Sequence, residues 1–223
     1  MSAPEGVTGS FEIHVFVAPL DPPEAATEAF AAACAAGGMK ALLLHLDYVG
    51  KGFVGVLQTS RYVRGGVEDA RAAAAADAAH LRAAGFEVIR EKVEAMTSCE
   101  GVPRTPADAA RAPSDRYFEF HVLIERPGAP LGNDDVASLR GLAAALARRL
   151  GTPVPLSYNA LRPGQRFLNL RASGVGLDEA GRPVRDLEDM VQKLDGLAVK
   201  KVIAEYICAD TNRAVDRGWL DPA

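Results

Sequence analysis

The sequence predicts an α+β protein in which one β-α-β-β-α-β unit is written twice. Two observations predict it. The strand Phe11-Glu12-Ile13-His14-Val15 reappears as Phe118-Glu119-Phe120-His121-Val122, an offset of 107 residues (121 − 14). A later anchor follows in the same order, VIREKVEA from Val88 against VIAEYICA from Val202, an offset of 114 (202 − 88). Ordered anchors with slightly different offsets are what a duplication with one insertion produces. The insertion is expected around Asp178 to Val184, where Glu179-Ala180-Gly181-Arg182-Pro183 reads as a loop.

In the first copy FEIHVFV alternates and is rich in strand formers. Asp21-Pro22-Pro23-Glu24 supplies a helix start, with proline and an acid in the first turn. The Ala-rich helix that follows stops at Gly37-Gly38. MKALLLHLDYV and GFVGVLQTSRYV read as two strands joined through Gly50-Lys51-Gly52. A helix from about Glu68 to Gly85 and the strand FEVIREKVEAM complete the unit. In the second copy YFEFHVLIE opens, Asn133 starts a helix ending at Gly151, and VPLSYNAL pairs with RFLNLRAS. A helix from about Asp186 to Gly196 and the strand KKVIAEYICA close it. This order is ferredoxin-like, and it implies mostly antiparallel sheets with helices on one face. The expected divisions are a tail at 1–10, a repeat at 11–96, a Pro/Ser/Asp/Ala-rich linker at 97–116, a repeat at 117–210 and a tail at 211–223. The last tail carries the single tryptophan, Trp219, an apolar anchor expected to dock onto the body.

Composition bounds the function. A net charge of −4 gives no general attraction for nucleic acid. Cys34, Cys99 and Cys208 are odd in number and form no Cys-X-X-Cys pair, which favours a reducing compartment over a disulfide framework. The first ten residues lack Lys and Arg, unlike a signal peptide. No apolar run approaches the roughly 18 residues that span a bilayer. The expectation is a cytoplasmic protein with no membrane association, its oligomeric state left open.

Side chains alternate along a strand. Phe11, Ile13, Val15 and Val17 therefore share one face and Glu12, His14 and Phe16 the other. Phe118, Phe120, Val122 and Ile124 are likewise opposed to Glu119, His121 and Leu123. The apolar faces should lie under helices, leaving Glu12, His14, Glu119 and His121 on the helix-free face of a central strand. If two such sheets face each other, His14 and His121 meet in a cleft suited to general acid–base work on a small molecule. Two histidines with flanking carboxylates are also a donor set for a divalent metal, although no cofactor is predicted. The plainer alternative is that both histidines pack between sheets of a binding or interaction module.

Around this centre, Lys40, Gln58, Ser60, Arg61 and Arg64 fall in or beside the first hairpin, and Asn159, Arg162, Arg166, Asn169 and Arg171 in or beside the second. Of these, Lys40, Gln58, Arg61, Asn159, Arg166 and Arg171 are candidates to hold a ligand, the arginines by forking onto a phosphate or carboxylate. Tyr206 matches Lys92 in the alignment and is a further candidate. Glu91 matches Glu205, with the side they serve undecided. His45 and His80 read as structural. Gly-Lys-Gly at 50–52 lacks phosphate-loop spacing, and no Gly-X-Ser-X-Gly or His-Glu-X-X-His motif is present.

Two halves with one strand histidine each resemble the two-histidine phosphoesterases related to RNA ligase-like cyclic phosphodiesterases, whose hallmark is a paired His-X-Thr/Ser motif. The resemblance covers the architecture and maps that family's histidines to His14 and His121, implying a phosphoryl ligand. Phe16 and Leu123 stand where the motif has hydroxyls, so the motif is not intact. KVEAM, GVPRTPADA, YFEFHV and a terminal DTN with GWL also resemble an uncharacterised bacterial group with tandem ferredoxin-like repeats, a resemblance that implies no activity.

Overall fold

The two-residue alternation seen in the Phe-Glu-X-His-Val strands governs the whole sheet. The computed structural model describes residues 6–220, so the ends of both expected tails, 1–5 and 221–223, lie outside the described residues. The first half contains β1 (Thr8–Val17), α1 (Glu24–Ala36), β2 (Lys40–Tyr48), β3 (Gly52–Gly66), α2 (Val67–Ala83) and β4 (Val88–Met96). A short helix α3 (Pro106–Ala109) lies in the connection. The second half contains β5 (Tyr117–Glu125), α4 (Asn133–Leu150), β6 (Leu156–Asn159), β7 (Arg166–Ser173), α5 (Leu177–Ala180), α6 (Arg182–Val191) and β8 (Ala198–Asp210). A 3-10 turn, Arg213–Asp216, follows.

Every strand pair is antiparallel, in the order β4-β1-β3-β2 for the first half and β8-β5-β7-β6 for the second. Sequence reading leads to two sheets facing each other; the structure has one closed eight-stranded barrel. The difference lies at the edges. β4 pairs with β8, and β2 pairs with β6, so edge N–H and C=O groups that would be left over in each half are joined to the other.

Closure decides what each strand face meets. Phe11, Ile13, Val15 and Val17 are fully buried on the outer face, where α1 and α2 cover the first half. Phe118, Phe120, Val122 and Ile124 are buried beneath α4 and α6. Glu12, His14, Phe16, Glu119, His121 and Leu123 all point into the barrel, as the parity of the strands requires.

The halves match in register as well as order. β1 pairs with β4 so that His14 lies opposite Lys92, and β5 pairs with β8 so that His121 lies opposite Ile203. Both pairings carry a bulge at the corresponding place, Phe16/Val17 and Leu123/Ile124. The pairing offset is thus 111 (203 − 92), not the 114 of the sequence alignment. An odd shift of three exchanges the two faces of a strand, and the consequence falls on Tyr206 and Glu205 below. The expected insertion coincides with α5 and α6, two short helices where the first half has α2 alone.

The expected linker is packed rather than free. Thr8 and Glu100 exchange backbone hydrogen bonds, Leu177 N–H donates to Pro103, and Thr105 caps α3 through the Asp108 amide. The C-terminal segment closes one end of the barrel. Trp219 packs with Phe16, Leu46, Tyr48 and Val56 and donates its indole N–H to the Leu156 carbonyl at 3.4 Å. The Tyr48 hydroxyl holds the Val215 carbonyl at 2.8 Å. No helix among the described residues is long and apolar enough to cross a membrane. Cys34, Cys99 and Cys208 are buried free thiols.

Trp219→Ala is expected to destabilise the fold by about 3 kcal/mol, the usual cost of emptying an aromatic site. Urea denaturation followed by far-ultraviolet circular dichroism, independent of the lost fluorophore, measures it.

Candidate functional site

The interior of the barrel is a cavity of about 900 Å³, in the range of small-molecule sites. Its centre is the same arrangement built twice. His14 Nε2 lies 3.3 Å from Glu94 and 3.8 Å from Glu12. His121 Nε2 lies 3.5 Å from Glu205 and 3.8 Å from Glu119. Each ring thus faces one carboxylate two residues back on its own strand and one from the neighbouring strand.

The other ring nitrogens are fixed differently. Between Ile13 and Phe16 the β1–β3 ladder is interrupted. There the Val15 N–H donates to the Thr59 hydroxyl at 2.9 Å, which leaves the Thr59 carbonyl to accept from His14 Nδ1 at 2.6 Å. His121 Nδ1 donates to Asn169 Oδ1 at 2.7 Å, and the Asn169 amide is held by the Pro155 carbonyl and the Ser157 hydroxyl, both at 3.0 Å.

Lys92 joins the two constellations. Its ammonium lies 2.6 Å from Glu94 of the first half and 2.6 Å from Glu119 of the second. Toward the closed end, Arg171 pairs with Glu119 at 2.7 Å and with Asp216. Arg90 forks onto Asp210 at 2.8 and 2.6 Å and reaches Asp216 at 2.7 Å, while the Tyr117 hydroxyl donates to Asp210 at 2.6 Å. Toward the other end, Glu12 accepts from Ser60 and Tyr62, each at 2.5 Å.

This network sets the proton affinities. Burial opposes a charged His14, but Glu94 and Glu12 outweigh it and lift the ring to about 9. Burial likewise opposes His121, and Glu205, Glu119 and Asn169 lift it to about 9. Burial would raise Glu94, yet Lys92 and His14 hold it well below the usual carboxylate range. Glu119, buried but facing Lys92 and Arg171, is held at about 2. Glu205 differs. Burial and the nearby Glu94 charge push it up to about 7, against the pull of His121.

The register explains the difference. Opposite His121, at the position Lys92 holds opposite His14, stands Ile203. Glu94 has an ammonium and Glu205 does not. His121 is also the more open ring, its side chain 23% exposed against 8% for His14.

Of the other residues expected from sequence, Gln58, Asn159 and Lys40 line the cavity. Arg171 is taken up in ion pairs with Glu119 and Asp216 toward the closed end. Arg61 borders the cavity as well, but its guanidinium turns to α2, where it pairs with Asp77 at 2.7 Å. Arg166 is outside, over the rings of Tyr158 and Phe53; its neighbour Phe167 takes the inner position. Tyr206 packs outside against Phe118, ring centroids 4.8 Å apart. It was matched to Lys92 by an alignment three residues out of register, whereas Glu205 is the inward group and the counterpart of Glu94. His45 stacks on Tyr158 and His80 approaches the Ala33 carbonyl at 2.9 Å, both away from the site. Arg90, Lys92 and Glu94 alternate with Glu91 and Val93, a period-two signal that marks β4 as carrying an inward polar face. Asp210 and Asp216 gave no such signal. Among the described residues no group of three or more His, Cys, Asp or Glu side chains is arranged to hold a metal ion. No protein-family model and no curated protein matches the chain.

Replacing Lys92 by Met leaves two buried carboxylates without their shared cation, and is expected to cost about 3–5 kcal/mol in urea denaturation. Stability should also fall on the alkaline side. His14 and His121, raised from 6.5 to about 9, contribute stability that is present below 6.5 and lost as pH rises through 9. Glu205, raised from 4.5 to about 7, contributes below 4.5 and loses that contribution through 7. Glu119, lowered from 4.5 to about 2, acts in the opposite sense and contributes above 4.5. Calorimetry should find Tm lower at about pH 9.5 than at about pH 6, by roughly 6–12 °C.

Proposed function

We propose that the barrel binds a small molecule in its cavity and transfers a proton to or from it, with Glu205 and His121 as the acid–base pair. One observation carries this reading: a duplicated histidine–carboxylate constellation opens on an internal cavity, and in only one copy does the carboxylate from the neighbouring strand lack a fixed cation. A carboxyl that titrates near neutrality is what a general base requires. In this reading ionised Glu205 removes a proton from the ligand, and the His121 imidazolium, oriented by Asn169, donates one to the atom that gains charge. The His14–Glu94–Lys92 set remains ionised and supplies the fixed field around it. Four carboxylates surround the two rings, which disfavours a phosphoryl group docked between them and favours acid–base chemistry over phosphoester cleavage.

We also read the chain as a tandem duplication of a ferredoxin-like unit. Matching strand orders, matching bulges and matching histidine–carboxylate distances support it. Three buried free thiols support a reducing, cytoplasmic setting.

A thermal-shift panel of small organic acids and phosphate esters, followed by solvent-deuterium incorporation into each hit by NMR, tests the reaction class. Glu205→Gln and His121→Ala should each slow exchange by about 100-fold or more. Exchange unaltered in both variants, or no ligand that raises Tm, overturns the proposal. Ile203→Lys, which restores the missing counter-ion, should move the Glu205 titration downward, read by carboxyl ¹³C chemical shifts; an unmoved titration would show that the Lys92/Ile203 difference is not its cause.

A further inference from the structure

The cavity has two unlike walls. On β1, β3 and β4 it is polar, presenting Glu12, His14, Gln58, Ser60, Lys92 and Glu94. On β2, β7, β5 and β8, which follow one another around the barrel with only β6 between, it presents Leu42, Leu44, Phe167, Leu123 and Ile203 beside Asn169, His121, Glu119 and Glu205. The five apolar residues are only partly buried, although they point inward. Their apolar surface is therefore exposed to the cavity, which a ligand with an apolar body would cover.

The two ends of the barrel are equally unlike. Trp219 packs on Phe16 near the end of β1 and closes that end. At the opposite end, beyond Glu12 and Ser60, the rim carries Lys40 on β2, Arg162 in the β6–β7 connection and Lys201 on β8. All three are exposed cations that line the cavity, and none has an ion-pair partner among the described residues. Some other surface cations do find carboxylates: Arg140 pairs with Asp47, Arg126 with Asp135, Arg149 with Asp186 and Lys200 with Glu125. The three rim cations stand above the apolar residues, while the rim on the β1–β3 side carries Glu12, Tyr62 and Arg61, the last already paired with Asp77.

We infer that the ligand is a small organic anion with a single carboxylate or phosphate head at the Lys40–Arg162–Lys201 rim and an apolar body laid along the Leu42–Leu44–Phe167–Leu123 wall. Convergent cations at the mouth of a low-dielectric cleft concentrate anions there. Lys201 pairs with Leu123, one inward step from His121 and Ile203. The head therefore sits about 7 Å along the strand from the His121 level, with the reacting atom several bonds from the head. This assignment rests on the acid–base reading only for what happens to the ligand, not for its binding.

The test is equilibrium titration followed by the fluorescence of Trp219, the single tryptophan and a lining residue of the cavity. Octanoate, octyl phosphate and the uncharged octanamide serve as probes. At least one anion should bind, and octanamide should bind roughly tenfold more weakly or worse. In the Lys40→Gln/Arg162→Gln/Lys201→Gln variant, whose substitutions are all at exposed positions, the anions should weaken to the level of octanamide while its melting temperature stays near wild type. Equal binding of octanamide, undiminished anion binding by the triple variant, or no binding by any probe overturns the assignment. Binding as expected without exchange that depends on Glu205 would overturn the acid–base reading alone.

Discussion

Everything inside this barrel depends on one ammonium group. Lys92 sits between Glu94 and Glu119, which come from different halves of the chain, at 2.6 Å from each. Removing three charges from water is costly, and the cost is offset only where opposite charges meet at close range with their hydrogen bonds made. Without Lys92 the barrel would bring the carboxylates of Glu12, Glu94, Glu119 and Glu205 around two histidines with only Arg171 beside Glu119 and no fixed cation beside Glu94. With it, the halves are tied together through charge as well as through the β4–β8 ladder.

The same residue makes the two halves unequal. His14 and His121 have nearly identical surroundings when only their carboxylates are compared. One position away, Lys92 in the first half is Ile203 in the second, and the missing cation leaves Glu205 to respond to burial and to its neighbour Glu94. A symmetric framework thus holds an asymmetric pair of sites, which differ in whether the carboxylate from the neighbouring strand has a cation beside it. The closing segment adds a second asymmetry. Asp216 and Trp219 fill one end, Asp216 binding Arg90 and Arg171, so the cavity is reached from the rim of Lys40, Arg162 and Lys201.

Much of this was legible in the chain. The alternation of Phe11-Glu12-Ile13-His14 and Phe118-Glu119-Phe120-His121 assigns each side chain to a face by local geometry alone, and both faces are as that parity requires. Glycine and proline punctuation marks the element order within each half, and Trp219 announces the docked tail. Where sequence reading fell short, the cause was register. Aligning VIREKVEA with VIAEYICA maximises identity but slips the pairing by three residues, turning Tyr206 inward on paper and hiding Glu205. Arg166 was grouped with inward neighbours in its hairpin, yet parity sends it to the outer face, and Arg61 at the cavity's edge turns its guanidinium to Asp77.

Short-range rules, then, determined which residues form strands and helices and which strand faces are polar, because alternation and turn chemistry act over a few residues. Only the tertiary structure decided that two sheets close into one barrel, since that rests on β4 meeting β8 and β2 meeting β6 far apart in sequence. It alone decided that Lys92 would serve Glu94 and Glu119 together, and that Ile203 would leave Glu205 without a cation. Electrostatic energies between buried groups depend on distances of a few ångströms, and those are set by the register of strands that the local sequence does not encode.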